Sequence, residues 1–397
     1  MTKPEVSWEE NARALRDPAQ IVAQWEPAAP PDASALRARA SKGWWDLLAE
    51  LGVTLLVSRE YEHLLIAMSA PEGRPHTTHL TLPHPSGIAV DRKRRHVYIA
   101  STRNPNQVYT FMPVAGSRAR KDKPLEPQPD KPLLPVASRF LPGSTYLHDL
   151  ALVGDVLHGN AVGENAVIAM PEGAPATRVW WPRCIETKSG PEFAQNHLQL
   201  NSIAAGRELE SSFFSASTDE MSARRPGHRN FPVEGRGVIF SGKTREPVVR
   251  GLTRPHSARL HKRKLWVDNS GYGEVGVIGR ERFEPVTRLP GWTRGLGFAG
   301  NVAFVGTSRV IPRFRQYAPG LDSERSVCSV FAIDTATGEV RESIRWPSGN
   351  QIFAVEAVPT TITWGFPQGS HRRSGSERMT RLFYSFETDT KEKSKKR

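Results

Sequence analysis

Blocks of one pattern recur along the chain, and each contains a polar residue, a short alternating apolar run and a turn. Five blocks are clear and a weaker sixth lies near Glu356; successive blocks begin roughly 40 to 65 residues apart, close to the spacing of four-stranded propeller blades. Because one such sheet cannot bury its faces alone, the repeat predicts an all-β fold, a six-bladed β-propeller. The clear blocks are HPSGIAVDRKRRHVYIAS at His84, HDLALVGDVLHGN at His148, NSIAAGRELESSFFSAST at Asn201, HSARLHKRKLWVDNSG at His256 and RGLGFAGNVAFVGTSR at Arg294.

The composition agrees with one large repeat domain. A chain of 397 residues is long enough for two ordinary domains, but its 32 glycines and 32 prolines suit many short strands joined by turns. Its two cysteines, Cys184 and Cys328, are too few for a disulfide framework. The opening MTKPEVSWEE carries acidic residues where a signal peptide needs a basic stretch, and no apolar run approaches the length of a membrane span. We therefore expect a soluble, cytoplasmic protein.

Three segments follow from the local pattern. Residues 1–52 show helical spacing in two stretches, 8–27 and 33–52, and predict a short N-terminal helical extension packed on the propeller edge. Residues 53–368 are strand-like and form the predicted propeller domain. We expect VTLLVS near its start or TTITWGF near its end to complete a blade made from both ends of the domain. Residues 369–397 form a basic tail that we expect to be disordered.

The net charge of +13 is large enough to suggest an acidic partner. Part of this charge lies in the tail, and two basic clusters, DRKRRH at 91–96 and RLHKRKL at 259–265, fall between adjacent strands of hairpins. Exposed charge keeps such turns soluble, and charge alone specifies no nucleic acid. We therefore favour solvated turns over a phosphate-binding patch, and we expect no nucleic-acid partner.

The leading polar residues of the blocks predict a ring at one mouth of the central channel. In an extended strand alternate residues share a side, so Ala258 and Leu260 follow His256 on one side of its strand. The leading residue of each innermost strand then lies near the channel mouth. The predicted ring consists of Ser86 or His84, His148, Asn201, His256, Arg294 and Glu356.

Three histidines of this ring, His84, His148 and His256, could bind a transition metal, with His197 as a fourth ligand. Neutral imidazole is the commonest protein ligand of zinc, copper and non-haem iron. The alternative is that each histidine hydrogen-bonds a neighbouring strand or channel water, since no compact metal motif accompanies them. With a metal present, Glu356 would be a further ligand or would orient an imidazole from outside the ligand set.

Arg294 favours a different kind of ligand. A guanidinium beside a cation is unfavourable unless an anionic substrate lies between them. Arg294 therefore predicts an anchor for a carboxylate or phosphate, and the alternative is an arginine paired with Glu356 or with a backbone carbonyl. The predicted ligand-binding set consists of Asn201, Arg294, Glu356 and Ser86.

Several phrases carry a resemblance to a known family. HPSGIAVD, LHDLAL, HLQLNSIA, GRGVIFS, RPHSARLHKRKLWVDNSGYGEV, RGLGFAG and FAIDTATGEV, in this order from Val53 to Pro359, resemble the uncharacterised bacterial family DUF4915. The resemblance implies a propeller-like domain. More distantly, the chain is similar to the six-bladed propellers of strictosidine synthase-like proteins, gluconolactonases and NHL repeats. The gluconolactonases hold a divalent metal with Glu and Asn or Asp, whereas histidine stands at most leading positions here.

Two classes of function remain open at this point. The first is binding of a small anionic molecule or peptide in the polar site at the channel mouth. The second is a metal-dependent enzyme, such as a hydrolase, isomerase or oxygenase-like tailoring enzyme, that uses the histidine cluster with a divalent zinc, copper or iron ion. A protein-interaction scaffold is a further alternative. The sequence contains no activated nucleophile and no general base with a defined partner, so it leaves open whether the protein is an enzyme.

Overall fold

Six antiparallel sheets form the body of the protein. The computed structural model describes residues 32–102, 106–117, 130–141, 145–222, 226–228, 231–280, 282–367 and 386–387. Each of these sheets has four strands, and one gains a short fifth strand at its outer edge. The innermost strands of neighbouring sheets contact one another in a closed ring. The predicted six-bladed β-propeller is therefore confirmed.

We number the blades in chain order and give their strands from the channel outward. Blade 1 contains Ala354–Pro359, Val53–Arg59, Leu64–Ser69 and His76–Thr81; blade 2 contains Pro85–Asp91, His96–Ser101, Gln107–Pro113 and Leu133–Phe140; blade 3 contains Leu147–Val153, Val156–Ala161, Ala166–Ala169 and Thr177–Trp180. Blade 4 contains Leu200–Ala204, Phe213–Ala216, Gly237–Ser241 and Pro247–Leu252; blade 5 contains Pro255–His261, Lys264–Asn269, Glu274–Gly279 and Arg282–Arg288; blade 6 contains Trp292–Ala299, Val302–Ser308, Ser329–Asp334, Val340–Arg345 and the edge strand Arg39–Ala40.

The remaining described elements are short. Two ribbons pair Glu186–Thr187 with Gly190–Pro191 and Gly116–Ser117 with Phe386–Glu387. The helices are the α-helices Ala33–Leu36 and Trp44–Leu51 and the 3-10 helices Pro71–Gly73, Val162–Glu164, Arg183–Ile185, Leu209–Ser211, Ser270–Tyr272 and Pro312–Tyr317.

Blade 1 is built from both ends of the propeller domain. Val53–Arg59 pairs on one side with Ala354–Pro359 and on the other with Leu64–Ser69. Ala354–Pro359 thus becomes the innermost strand, and every residue of Val53–Arg59 is buried. This arrangement confirms closure by both ends, with VTLLVS in the blade, whereas TTITWGF forms no strand.

The helix Trp44–Leu51 lies within the predicted N-terminal extension. It ends at Gly52, whose φ of 60° is the left-handed conformation that glycine adopts without strain. Trp44 is fully buried, and its ring meets that of Phe304 of blade 6 edge-on at 6.0 Å. The helix predicted at 8–27 lies outside the described residues, as does most of the tail 369–397. In the described part of the chain, no helix is both long and apolar enough to cross a membrane.

A β-bulge interrupts the innermost strands of blades 2 to 6 near their starts. In blade 5 the register shifts between His256 and Arg259, so the strict alternation predicted for Ala258 and Leu260 does not hold there. The bulge residue Ser257 has a φ of 53°. Its Oγ accepts the backbone N–H of Gly295 in blade 6 at 2.8 Å. The bulges therefore expose backbone and hydroxyl groups that join neighbouring blades.

Candidate functional site

A cavity of about 80 Å³ lies at the mouth of the channel, where the innermost strands of blades 3 to 6 begin. Four residues of the predicted ring line it, one from each blade, and all four are buried. The structure thus brings together His148, Asn201, His256 and Arg294.

The residue two positions before each of these four also lines the cavity, which adds Tyr146, Gln199, Arg254 and Trp292. Tyr146, Gln199 and Arg254 have φ values of 49°, 49° and 54°. A non-glycine residue adopts this left-handed conformation at a cost of roughly 1 kcal/mol or more. The backbone at these three positions is not extended, but the alternation expected from the sequence would also have placed this second set on the side of the leading residues.

Asn201 fixes the orientation of His148. The Nδ2 of Asn201 donates to the carbonyl of Pro255 at 2.9 Å, so the Oδ1 of the same amide is the acceptor. The Nδ1 of His148 lies 3.2 Å from this oxygen and therefore carries a hydrogen. The imidazole of His148 is held with its Nδ1–H pointing at the neighbouring blade.

Arg294 fixes the tautomer of His256. A guanidinium can only donate, and the Nε of Arg294 donates to the Nε2 of His256 at 3.1 Å. The Nδ1 of His256 therefore carries the hydrogen, and it lies 2.9 Å from the Oγ of Ser257. Burial lowers the pKa of His256 well below its usual 6.5, and the charge of Arg294 lowers this pKa further. His256 is consequently neutral near pH 7.

Two buried guanidinium groups flank the cavity. Arg254 donates its Nη1 to the Oε1 of Gln199 at 2.6 Å and lies over the ring of Tyr317 at 4.5 Å. The guanidinium of Arg294 lies 3.7 Å from the ring centroid of Phe353. Burial lowers the pKa of both arginines, that of Arg254 to about 10, and the charge of Arg294 contributes to this lower pKa of Arg254. Within the described ranges, neither arginine forms an ion pair with a carboxylate.

The charged side chains around the cavity have a net positive charge. Among the described residues, the lining contains one carboxylate, that of Glu60. The hydroxyl of Thr102 donates to the Oε1 of Glu60 at 2.6 Å, and the negative charge of Glu60 raises the pKa of Arg294. Two guanidinium groups and a neutral His256 therefore face a single carboxylate.

Phe353 takes the ring position in blade 1 at which Glu356 was predicted. The ring of Phe353 contacts both imidazoles, with centroid distances of 5.3 Å to His148 and 5.7 Å to His256. Glu356 lies three residues further along the strand and is not in the cavity lining. It lies near the charged side chains of Arg259 and Asp149, deeper in the channel.

Three other predicted site residues lie outside the cavity. Ser86 donates its Oγ to a backbone carbonyl of blade 3 at 2.9 Å and so links two blades. His84 has a φ of 43°, and its ring lies 4.3 Å from that of His63. His197 lines a different, open cavity of about 470 Å³ together with His228.

The predicted histidine ligands do not form a metal site in this arrangement. The residues described by the structure include no group of three His, Cys, Asp or Glu side chains that could hold a metal ion. Of the four predicted ligands, only His148 and His256 share a cavity, and Arg294 already donates to the Nε2 of His256. A cation there would stand beside a guanidinium, which is unfavourable.

Aromatic side chains form one wall of the cavity. Phe314, from the 3-10 helix Pro312–Tyr317, stacks on Tyr61 with ring centroids 6.2 Å apart, and both line the cavity. Trp292 lies beside Phe314 at 5.3 Å. Phe231, which lies between the second and third strands of blade 4, packs into the same apolar cluster as Trp292 and Phe314.

Residues 42–364 match the model of a family described as a domain of unknown function, DUF4915. The chain belongs to the DUF4915 family. The match covers nearly the whole propeller, and it confirms the resemblance inferred from the sequence phrases. No curated protein matches this DUF4915 chain.

Solved structures similar to this DUF4915 protein share little of its sequence. One is in a nidogen/laminin complex: it is 8% identical with a TM-score of 0.50, and the match covers 77% of this chain and 98% of that chain. A protein of unknown function from Bacteroides caccae is 8% identical with a TM-score of 0.48, covering 77% and 99%. The β-propeller domain of Myceliophteria thermophila Cps50 (Swd1) is 9% identical with a TM-score of 0.41, covering 81% and 92%. Such low identities concern the fold alone.

Proposed function

We propose that the channel mouth binds a small anionic ligand, or an anionic group of a peptide, through Arg254 and Arg294. The observation that carries this proposal is the pair of buried guanidinium groups, neither with a carboxylate partner among the residues that the structure describes. Burying a charge without a counter-ion costs several kcal/mol. An anion that enters the cavity would supply the missing negative charge.

Donor groups in the lining suit a carboxylate or a phosphate. Arg294 uses its Nε for His256, which leaves its two Nη groups for a ligand. The Nε1 of Trp292 is buried and has no hydrogen-bond partner in the described part of the chain. Carboxylate and phosphate oxygens accept hydrogen bonds from such donors and can bind a guanidinium in a bidentate manner.

The surroundings of Arg294 hold its guanidinium in place before a ligand arrives. His256 accepts from its Nε, and the rings of Phe353 and Trp292 lie 3.7 Å and 5.6 Å from its central carbon. A desolvated cation–π contact contributes about 2 kcal/mol. Because the side chain is already ordered, binding an anion requires little additional loss of side-chain entropy.

The size of the cavity limits the group that it can hold. Its volume is about 80 Å³. Pockets for drug-sized ligands measure roughly 300 to 1,000 Å³, so this cavity has room for one carboxylate or phosphate group and little more. We therefore expect recognition of the charged group itself rather than of a large ligand body.

Thermal unfolding in sodium phosphate, sodium acetate and sodium chloride at equal ionic strength tests the proposal. Phosphate or acetate should raise the unfolding temperature in a saturable way, and a ligand at 100 times its Kd stabilises the folded state by about 2.7 kcal/mol. Arg294→Met should abolish the effect. Arg294→Lys should weaken it, because lysine keeps the charge and loses the planar fork.

Arg282→Met is the matched control, since the side chain of Arg282 is 79% exposed on the outermost strand of blade 5. This variant should keep the full response to the anion. A response that does not saturate, or one that Arg294→Met retains, would show general salt stabilisation and would refute the site.

A further inference from the structure

The interface between blades 2 and 3 is packed differently from most of the others. Blades diverge away from the channel, and buried aromatic side chains fill the resulting space at four of the interfaces. These include Trp346 and Phe304 between blades 6 and 1, Phe111 and Phe366 between blades 1 and 2, Trp180 and Phe214 between blades 3 and 4, and Trp266 between blades 5 and 6. Between blades 2 and 3 the described buried cluster contains no aromatic side chain: it combines leucine, isoleucine, valine and methionine with Ala89, Ala100, Ala161 and Ala176.

A groove of about 560 Å³ occupies this interface; we call it the blade 2–3 groove. Blade 2 contributes Tyr98, Val108 and Met112 to its walls, and blade 3 contributes Leu157 and Met170. Tyr98 is the aromatic residue of the interface in the described chain, and it is only partly buried. Most of the wall is therefore apolar. The groove involves three strands of blade 2, and in blade 3 it involves Val156–Ala161 and the residues after Ala166–Ala169.

Arg139 provides a polar group in this apolar wall. Its Nη2 donates to the carbonyl of Pro171 at 2.6 Å, whereas its Nη1 is buried and has no hydrogen-bond partner among the described residues. The other charged side chains at the rim are paired or exposed. Arg94 pairs with Asp91, Asp155 pairs with Lys93, and Glu172 is exposed. A buried donor without an acceptor is unfavourable, so Arg139 favours a ligand that brings an acceptor.

We propose that the blade 2–3 groove binds an amphiphilic carboxylate, with its apolar chain or ring against Val108, Leu157 and Met170 and its carboxylate on Arg139. The apolar body replaces the aromatic side chains found at other interfaces. The carboxylate accepts from the unpartnered Nη1 after a rotation of the flexible arginine side chain, and it supplies a counter-charge. This site is separate from the channel mouth, whose cavity of about 80 Å³ has no room for such an apolar body.

Calorimetric titration of the full chain with sodium decanoate, below its micelle concentration, tests the proposal. We expect one equivalent to bind, and decanol, which lacks the charge, to bind at least tenfold more weakly. Arg139→Met should lower the affinity for decanoate at least tenfold and leave that for decanol nearly unchanged. Arg282→Met, an exposed arginine on the outermost strand of another blade, should change neither affinity.

Two further variants probe the groove itself. Thr110→Trp places a large ring in the wall and should block both decanoate and decanol. Val136→Glu, at a side chain that is 49% exposed at the rim, should weaken decanoate binding without disturbing the core. Circular dichroism and thermal unfolding establish that each variant is folded, and Val136→Glu keeps the test decisive if Thr110→Trp unfolds.

Several results would overturn the proposal: no binding of decanoate, equal affinities for decanoate and decanol, or full affinity in both Arg139→Met and Val136→Glu. Arg294→Met should leave decanoate binding unchanged. If decanoate binding is lost in Arg294→Met and kept in Arg139→Met, the carboxylate binds at the channel mouth, and the groove proposal fails while the anion site stands.

Discussion

Replacing Glu356 with glutamine should make the stability of the protein less dependent on pH. Glu356 lies on the innermost strand of blade 1, partly buried in the channel. Burial raises its pKa from 4.5 to about 7, although the positive charges of Arg259 and Arg92 lower the pKa and the negative charge of Asp149 raises it again. The folded protein therefore holds this proton more tightly than the unfolded chain does.

The sign of the effect follows from this difference. Because the pKa is higher in the folded state, the contribution of Glu356 to stability is complete below the pKa of the unfolded chain and is lost as the pH rises through the folded pKa. The interval between the two pKa values runs from 4.5 to about 7. It corresponds to at most roughly 3 kcal/mol of unfolding free energy.

Urea unfolding of the wild type and Glu356→Gln at about pH 5 and about pH 8 measures this contribution. Relative to the wild type, the free energy of unfolding of Glu356→Gln should rise by up to about 3 kcal/mol from the lower to the higher pH. Glu284→Gln, at a carboxylate that is 47% exposed on blade 5, is the control and should follow the wild type. A free-energy difference between Glu356→Gln and the wild type that is the same at both pH values would show that Glu356 is ionised in the folded state, which contradicts the reasoning.

Two further predictions concern stability. Arg259→Met should lower the free energy of unfolding by about 3 to 5 kcal/mol, because the buried Asp149 then loses a bidentate partner at 2.6 and 2.9 Å. Adding Asp149→Asn to this variant should recover most of the loss in urea unfolding; a single-variant effect under about 1 kcal/mol would mean that the pair behaves like an exposed one. Ending the chain after residue 349 removes the innermost strand of blade 1, so the cooperative unfolding transition should disappear. Cooperative unfolding of that shortened chain would contradict ring closure by both ends.

The blades could be predicted from the sequence because each innermost strand begins in the same way. A polar residue, a short apolar run and a turn recur, and ring closure then brings the polar residues together although they are distant in sequence. His148, Asn201, His256 and Arg294 line one cavity for this reason. Their hydrogen-bond partners could not be predicted, since these depend on the spacing between blades.

Glu356 shows where this reasoning stops. In QIFAVEAVP the glutamate is the charged residue, so the pattern places it at the leading position, but the aromatic Phe353 contacts the two imidazoles instead. Blade 1 pairs Val53–Arg59 with Ala354–Pro359 without the bulge seen at the starts of the other innermost strands. Alternation alone cannot fix the phase of a strand when an apolar side chain faces the channel.

The second set of lining residues could be predicted from the sequence, and the aromatic wall could not. Tyr146, Gln199 and Arg254 precede the leading residues by two positions, so the alternation assumed from the sequence would have placed them on the same side. None of the three is glycine or asparagine, the residues that usually indicate a left-handed conformation, so this turn could not be predicted from the sequence. Phe314 and Tyr61 meet from separate loops, and no local pattern relates them.

The closure of blade 1 has a consequence for the order in which the protein folds during synthesis. Val53–Arg59 emerges from the ribosome early, yet the strand that covers its inner edge, Ala354–Pro359, is made about 300 residues later. Every residue of Val53–Arg59 is buried in the finished ring, so a strand meant for the interior has one unpaired edge for most of translation. The nascent chain is therefore most open to edge-to-edge aggregation before its last blade strand appears, and a chaperone that covers strand edges would act in that interval.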